Sequence, residues 1–290
     1  MKLIEGRTIP QVWFEAIRYL QDRKGHDDFD VFLHITNPTE LSREDKNVVD
    51  LVDEFLKAKG GCPLNTVAET IFPHSDYIHG GQEAVFQTYP ERMERIHAVR
   101  DDKRWGCYAM RMLRQTDSDG TVFNPLKKIV EKMNSKARYK ACYELVSGRP
   151  FLPEEDQVSE IATYDPATDR NPYYGNLPCL SLASFKLDSV NNQVRLNATY
   201  RSHYYLQRTL GNLIGLGRLQ YFVAHESGSN VGPLTVNSTY ANLDTGSSSG
   251  GSGTWNRSDI VTLISECESI YNATENEFGH SLSGLESIEG

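Results

Sequence analysis

The order of apolar patterns predicts an α+β domain, with helices packed on one face of a mixed sheet. Helical periodicities fill the first half, whereas the second half is rich in strand-like alternation. The strands are too interrupted for a clean βαβ array, and no glycine-rich phosphate fingerprint follows any of them. A chain of 290 residues, 39% hydrophobic and 24% charged, can bury one substantial core. One main domain over residues 1–271 is expected, followed by an acidic tail, 272–290, that need not be ordered.

Residues 9–21 read as a first helix, with Val12, Ile17 and Leu20 among its apolar positions. Residues 29–35 read as a strand ended by Asn37-Pro38. Ser42 then reads as an N-cap, and Val48, Val52, Phe55 and Leu56 follow at helical spacing until Gly60-Gly61. Further helices are expected over 64–72, 90–99 and 125–133, and strands over 139–146 and 161–164 with an exposed loop between them. Residues 180–187 and 193–200 read as paired strands about a turn at 189–192. Residues 202–226 read as one long helical region, and 259–271 as the last helix. The Ser/Gly run 246–253 predicts a flexible loop.

The formal net charge is −9, which disfavours duplex nucleic acid as the main partner. It leaves room for one anionic nucleotide, because a few arginines in a pocket hold a single phosphate. No stretch of about 18 apolar residues occurs, so no membrane span is expected. The first eight residues lack an apolar signal core. Five cysteines (Cys62, Cys107, Cys142, Cys179 and Cys267) are dispersed without CxxC spacing, which predicts reduced thiols in the cytoplasm.

Chemistry concentrates between Leu177 and Leu243. Pro178-Cys179 is followed by a strand pair, and the second strand delivers Arg201-Ser202. Gly211-Asn212 and then Tyr240-Ala241-Asn242 complete an ordered set. A lone cysteine is more often a packed small hydrophobe than a nucleophile. A neighbouring guanidinium changes that balance by favouring the thiolate, so Arg201 is expected to lower the Cys179 pKa. Arg201 as a surface ion-pair residue, Asn212 as a helix cap and Tyr240 as core are the competing structural readings. His74, Asp76 and His79 could hold a metal, but they fall after a proline in an expected loop with no obvious further ligands, and no metal is predicted. His203 is a candidate proton carrier, with packing as the alternative, and Trp105 and Tyr108 are candidate pocket walls.

This ordered set resembles the thymidylate synthase family, including its hydroxymethylase relatives. That family carries Pro-Cys-His, a strand pair, Gln-Arg-Ser, an Asn near a helix start, and later His-x-Tyr-x-Asn. The resemblance is strongest over 177–243. It extends upstream through Val67-Ala68-Glu69-Thr70, which is similar to the family's glutamate-bearing helix, and through residues 134–145, where Arg138 is similar to the arginine that reaches into a partner subunit. The resemblance implies a thymidylate synthase-like fold and a homodimer with Arg138 shared across subunits. It implies Cys179 as the nucleophile at C6 of a pyrimidine nucleotide, Arg201, Ser202 and Arg138 on phosphate, Asn212 on the base edge, Tyr240 on ribose, and Glu69 ordering water and moving protons. An amide at Asn212 favours uracil over cytosine. The implied partner reagent is 5,10-methylenetetrahydrofolate or a related one-carbon donor.

Several positions depart from the family. Leu180 replaces its histidine after the nucleophile, Tyr204 its folate-binding aspartate, and Ser238 its later histidine. The early arginine-rich loop and the apolar C-terminal end are missing. The nucleotide half is thus kept and the folate half remodelled, which leaves methylation, hydroxymethylation and nucleotide binding without turnover as the alternatives.

Overall fold

The fold is described by a computed structural model over residues 1–98, 107–116, 119–135, 143–145, 179–246 and 253–283. Arg138, Cys142, Trp105, Pro178 and the expected strand at 161–164 lie outside the described residues.

β1 (Lys2–Gly6), β2 (Asp27–Ile35), β5 (Tyr143–Leu145), β6 (Leu180–Asp188), β7 (Gln193–Tyr200), β8 (His203–Tyr204) and β9 (Asn230–Asn242) form one mixed sheet. Its order is β1-β2-β9-β7-β6-β5, with β8 beside β9. β1 runs parallel to β2, and β7 and β8 run parallel to β9; the remaining pairs are antiparallel. A small hairpin, β3 (Gln115–Thr116) with β4 (Val122–Phe123), stands apart.

Period-2 alternation sorts the sheet faces. Val31, Leu33, Ile35, Val194, Leu196, Leu234 and Val236 are fully buried on one face. Against it pack α1 (Ile9–Gln21) and α8 (Leu210–Glu226). On the other face Phe32, His34, Arg195, Asn197, Thr235 and Asn237 stay half-buried or exposed. The structure is therefore a single domain with a mixed open sheet and its helices on one side.

The N-terminus of α1 is set by Pro10, whose fixed φ suits a first helical turn, and Val12, Trp13, Ala16, Ile17 and Leu20 form its buried stripe. Ser42 caps α2 (Arg43–Ala58) in a reciprocal box: Asp45 N–H donates to Ser42 Oγ at 3.1 Å and Ser42 N–H to Asp45 Oδ2 at 2.9 Å. α3 (Leu64–Ile71) lies on α8 at close range. A Cβ at Gly211 would stand 2.6 Å from Val67 Cβ, and one at Gly215 2.7 Å from Ile71 Cβ, so this approach requires glycine.

Several expectations need correction. Residues 2–6, to which the sequence pattern assigns no element, form β1, whose exposed side carries Leu3 and Glu5. Residues 74–83, read as loop, form α4 (His74–Glu83) with Pro73 at its N-cap. α5 (Tyr89–Ala98), α6 (Tyr108–Leu113) and α7 (Pro125–Asn134) follow. The region 202–226 does not begin as helix: β8 and one π-helical turn, Tyr205–Thr209, precede α8. The last helix, α9 (Arg257–Ser283), continues beyond Tyr271.

Candidate functional site

The sheet ladder breaks where the motif residues meet. β7 ends with Tyr200 opposite Ser238, and β8 resumes with His203 opposite Ala241. In the gap stand Arg201 and Ser202 on one strand and Thr239 and Tyr240 on its neighbour. Thr239 Oγ1 closes the gap by donating to the carbonyls of Tyr200 (3.2 Å) and Arg201 (3.0 Å). On the opposite flank, Arg201 N–H donates to Cys179 O at 2.9 Å. Cys179, Arg201 and Thr239-Tyr240 are thus lateral neighbours on three adjacent chain segments.

Cys179 is half-buried at the start of β6. Its backbone is held by α6: the N–H groups of Cys179 and Leu180 donate to Tyr108 Oη at 2.9 and 3.3 Å. Burial pushes the Cys179 thiol above its ordinary pKa, and the guanidinium groups of Arg201 and Arg208 pull it back only in part. This corrects the expectation of a lowered pKa. Arg201 is exposed, so water screens its charge, and desolvation of the sulfur prevails. Burial likewise pushes the Tyr108 phenol up to about 12, and the neighbouring Cys179 adds to the shift.

Arg208 sits on the π-helical turn, which is firmly anchored. Asp244 Oδ1 accepts from the N–H groups of Leu206 (2.9 Å) and Gln207 (3.3 Å), and Trp13 Nε1 donates to Tyr205 O at 2.7 Å. Asp244 is fully buried, and burial raises its carboxyl to about 6. Arg208 acts on this carboxylate as well as on the thiol.

Around the His203 ring lies a buried polar network. Asn212 Nδ2 donates to His203 Nε2 at 3.1 Å, so the ring proton is on Nδ1, which meets Ser238 Oγ at 3.0 Å. Tyr205 Oη meets the same Ser238 oxygen at 3.0 Å. Burial lowers the His203 pKa to about 3, so the ring is neutral and packed rather than a proton carrier near pH 7. Asn212, 6% exposed, keeps its Oδ1 and second amide N–H without a protein partner among the described residues.

Other predicted site residues have different company. The Glu69 carboxylate accepts from Ser75 N–H (3.2 Å) and Ser75 Oγ (3.1 Å), and Arg218 Nη1 lies 3.4 Å away. That ties it to the first turn of α4 and the middle of α8, and none of its partners belongs to the Cys179 cluster. Tyr240 Oη donates to Asp27 Oδ2 at 2.9 Å, and its ring lies 5.4 Å from Phe29. Ser202 is half-buried beside Arg201. Of the other cysteines, Cys267 is buried with its thiol raised to about 12, and Cys107 Sγ contacts Tyr89 Oη at 3.3 Å.

Among the described residues no three His, Cys, Asp or Glu side chains gather as a metal-ligand group. Asp76 instead clamps Arg92 at 2.8 and 2.7 Å, and His79 Nδ1 lies 2.6 Å from Ser75 O. No described helix is long and apolar enough to cross a membrane.

Sequence reasoning missed Arg208, Tyr200 and Asp244. A basic residue in the apolar run 205–216 was the available signal for Arg208. Tyr200 shares the inward alternation of β7, and Asp244 directly follows the last motif residue, Leu243. No protein-family model and no curated protein matches this chain.

Proposed function

We propose that this protein is a thymidylate synthase-like transferase acting at C5 of a pyrimidine nucleotide, with uracil as the favoured base. The carrying observation is the juxtaposition of Cys179 with Arg201 and Thr239-Tyr240 across the broken ladder, since the motif order alone does not require these segments to be neighbours. In this reading the Cys179 thiolate adds to C6 and charge moves to O4. C5 then attacks the one-carbon unit as one of its C–N bonds to the carrier opens; the C5 proton leaves, the carrier amine is expelled to give an exocyclic methylene, and hydride from the reduced carrier (methylation) or water (hydroxymethylation) adds there as the thiolate departs from C6. Arg201 and Ser202 bind phosphate, with Arg138 supplied by the second subunit of a homodimer. Asn212 offers uracil an acceptor for N3–H and a donor for O4. Tyr240 faces ribose, and Glu69 moves protons through water. The donor is 5,10-methylenetetrahydrofolate or a related one-carbon carrier. Tyr204 presents a phenol where the family has a charged aspartate, which favours a modified carrier and keeps hydroxymethylation beside methylation.

The second reading is a pyrimidine-nucleotide-binding or sensing protein without turnover. It is favoured by the burial that raises the Cys179 thiol and by the Asp27 carboxylate that occupies the Tyr240 hydroxyl.

Tritium release from 5-tritiated dUMP, UMP, dCMP and CMP separates the two readings, measured with and without methylenetetrahydrofolate. Wild type is expected to release tritium from a uracil nucleotide, and Cys179→Ala to fall to background while still binding it. Release that survives Cys179→Ala would sink the covalent route. Binding without release by wild type would favour the sensor.

A further inference from the structure

Tyr240 does not stand alone at the ladder gap. The β2–β9 register sets Phe29 opposite Tyr240 and Asp27 opposite Asn242. Tyr240 Oη donates to Asp27 Oδ2 at 2.9 Å, and Asn242 Nδ2 donates to Tyr240 Oη at 3.4 Å. The Phe29 ring, 66% exposed, lies 5.4 Å from the Tyr240 ring at an interplanar angle of 46°. Thr239, the residue before Tyr240, bonds the carbonyls of Tyr200 and Arg201. One gap in the ladder therefore joins this group to Arg201.

The end of the sheet that carries the group is pinned. Leu243 N–H donates to His26 O at 2.8 Å, and Arg257 Nη1 donates to Leu243 O at 2.5 Å. The turn before Asp27 fits its carboxylate closely, since a Cβ at Gly25 would stand 2.6 Å from Asp27 Oδ1. Donors and acceptors are then counted. Tyr240 has one proton and gives it to Asp27, so its oxygen meets a ligand as an acceptor. Asp27 is half-buried, and its Oδ1 accepts no hydrogen bond among the described residues. The pair thus offers two acceptors side by side, one of them charged. A ribose brings two vicinal donors, the 2′- and 3′-hydroxyls, whereas a 2′-deoxyribose brings one. In dinucleotide-binding folds an acidic side chain reads the ribose 2′-hydroxyl by the same chemistry.

We propose that Asp27 is the sugar-specificity residue of this site and, with Tyr240, selects a ribonucleotide over a 2′-deoxyribonucleotide. The Asp27 carboxylate accepts from the 2′-hydroxyl, Tyr240 Oη accepts from the 3′-hydroxyl, and the exposed Phe29 ring supplies apolar surface for the sugar carbons. This rests on the reading in which Tyr240 faces ribose, and it names the class of sugar for that site.

The test is titration calorimetry of UMP and dUMP with the full chain and two variants. Wild type should bind UMP about tenfold more tightly than dUMP, the worth of one charge-assisted hydrogen bond. Asp27→Asn should abolish that preference, mainly by weakening UMP. Its amide oxygen still accepts from Tyr240, so its thermal midpoint should stay near that of wild type. Gly25→Ala should lower the preference in the same direction, because the added methyl displaces Oδ1 without removing the charge. Equal affinity of wild type for the two nucleotides would overturn the inference and leave the nucleotide site standing. So would an unchanged ratio in Asp27→Asn, and if that variant also lost thermal stability the Asp27–Tyr240 bond would be structural. Binding of neither nucleotide by wild type would remove the nucleotide site itself, and the sugar choice with it.

Discussion

Tyr200 separates two polar clusters that differ in how far their hydrogen bonds are satisfied. On one side of its ring, His203, Ser238, Tyr205 and Asn212 pair with one another around a neutral imidazole. Towards β6, where Tyr200 is the register partner of Leu180, the Tyr200 hydroxyl has no hydrogen-bond partner among the described residues. A closed buried network fixes geometry, because breaking any member strands another. An open one has capacity left for charge that arrives later. Under the proposed function the Cys179 side carries the chemistry, and the His203 side holds Asn212 in place for the base.

The sharpest way to break this comparison is to substitute its two halves in turn. His203→Ala should remove about 3 kcal/mol of stability, from the cavity and from the stranded Asn212 and Ser238 groups. Chemical denaturation measures this, and Tyr200→Phe should show no such loss. Equal losses in both variants would erase the distinction between a closed and an open cluster.

The anchor behind Arg208 gives an effect of similar size that depends on pH. Burial raises the Asp244 carboxyl from its ordinary 3.8 to about 6, so the folded state holds a proton more tightly than the unfolded chain. Its stabilising contribution is therefore present below about pH 4 and is lost as pH rises through about 6. Asp244→Asn keeps an acceptor for Leu206 and Gln207 but does not titrate. Relative to wild type, the variant should gain about 3 kcal/mol between pH 4 and pH 7, following from about two pKa units. His203 works in the opposite sense: its depressed pKa costs stability as pH falls below about 6.5, and Asp244→Asn should unmask that slope. Urea unfolding at a series of pH values tests both, and a constant difference between variant and wild type would refute the assignment to Asp244.

The smallest expected effect is on base choice. Asn212 spends one amide proton on His203 and keeps an acceptor and a donor. Asn212→Asp should shift nucleotide preference from uracil towards cytosine by about 1–2 kcal/mol, roughly tenfold, read as the ratio of dissociation constants for dUMP and dCMP. An unchanged ratio would remove Asn212 from the base edge.

Much of the scaffold was legible along the chain. The stripe of Val12, Ile17 and Leu20, the Ser42 cap and the 180–200 hairpin are local patterns, and local patterns need no distant partner to be recognised. β1 and α4 were missed for the same reason. Lys2–Gly6 becomes a strand through its pairing with β2, and His74–Glu83 is a weakly amphipathic segment opened by Pro73, whose helix rests on tertiary packing. In the candidate site, Cys179, Arg201, Ser202, Asn212 and Tyr240 stood out by residue type and order. Glu69 did too, but its partners are now Ser75 and Arg218.

By itself the sequence determined the periodicities, the caps, the α+β class and the ordered set of reactive residue types, because each is written in neighbouring residues. The tertiary structure alone decided the direction of the Cys179 pKa, the neutral state of His203, the raised carboxyl of Asp244 and the Tyr200 hydroxyl left unpaired among the described residues. Those depend on desolvation and on partners brought together by the sheet from strands far apart in the chain, and neither burial nor cross-strand register can be read from a residue and its neighbours.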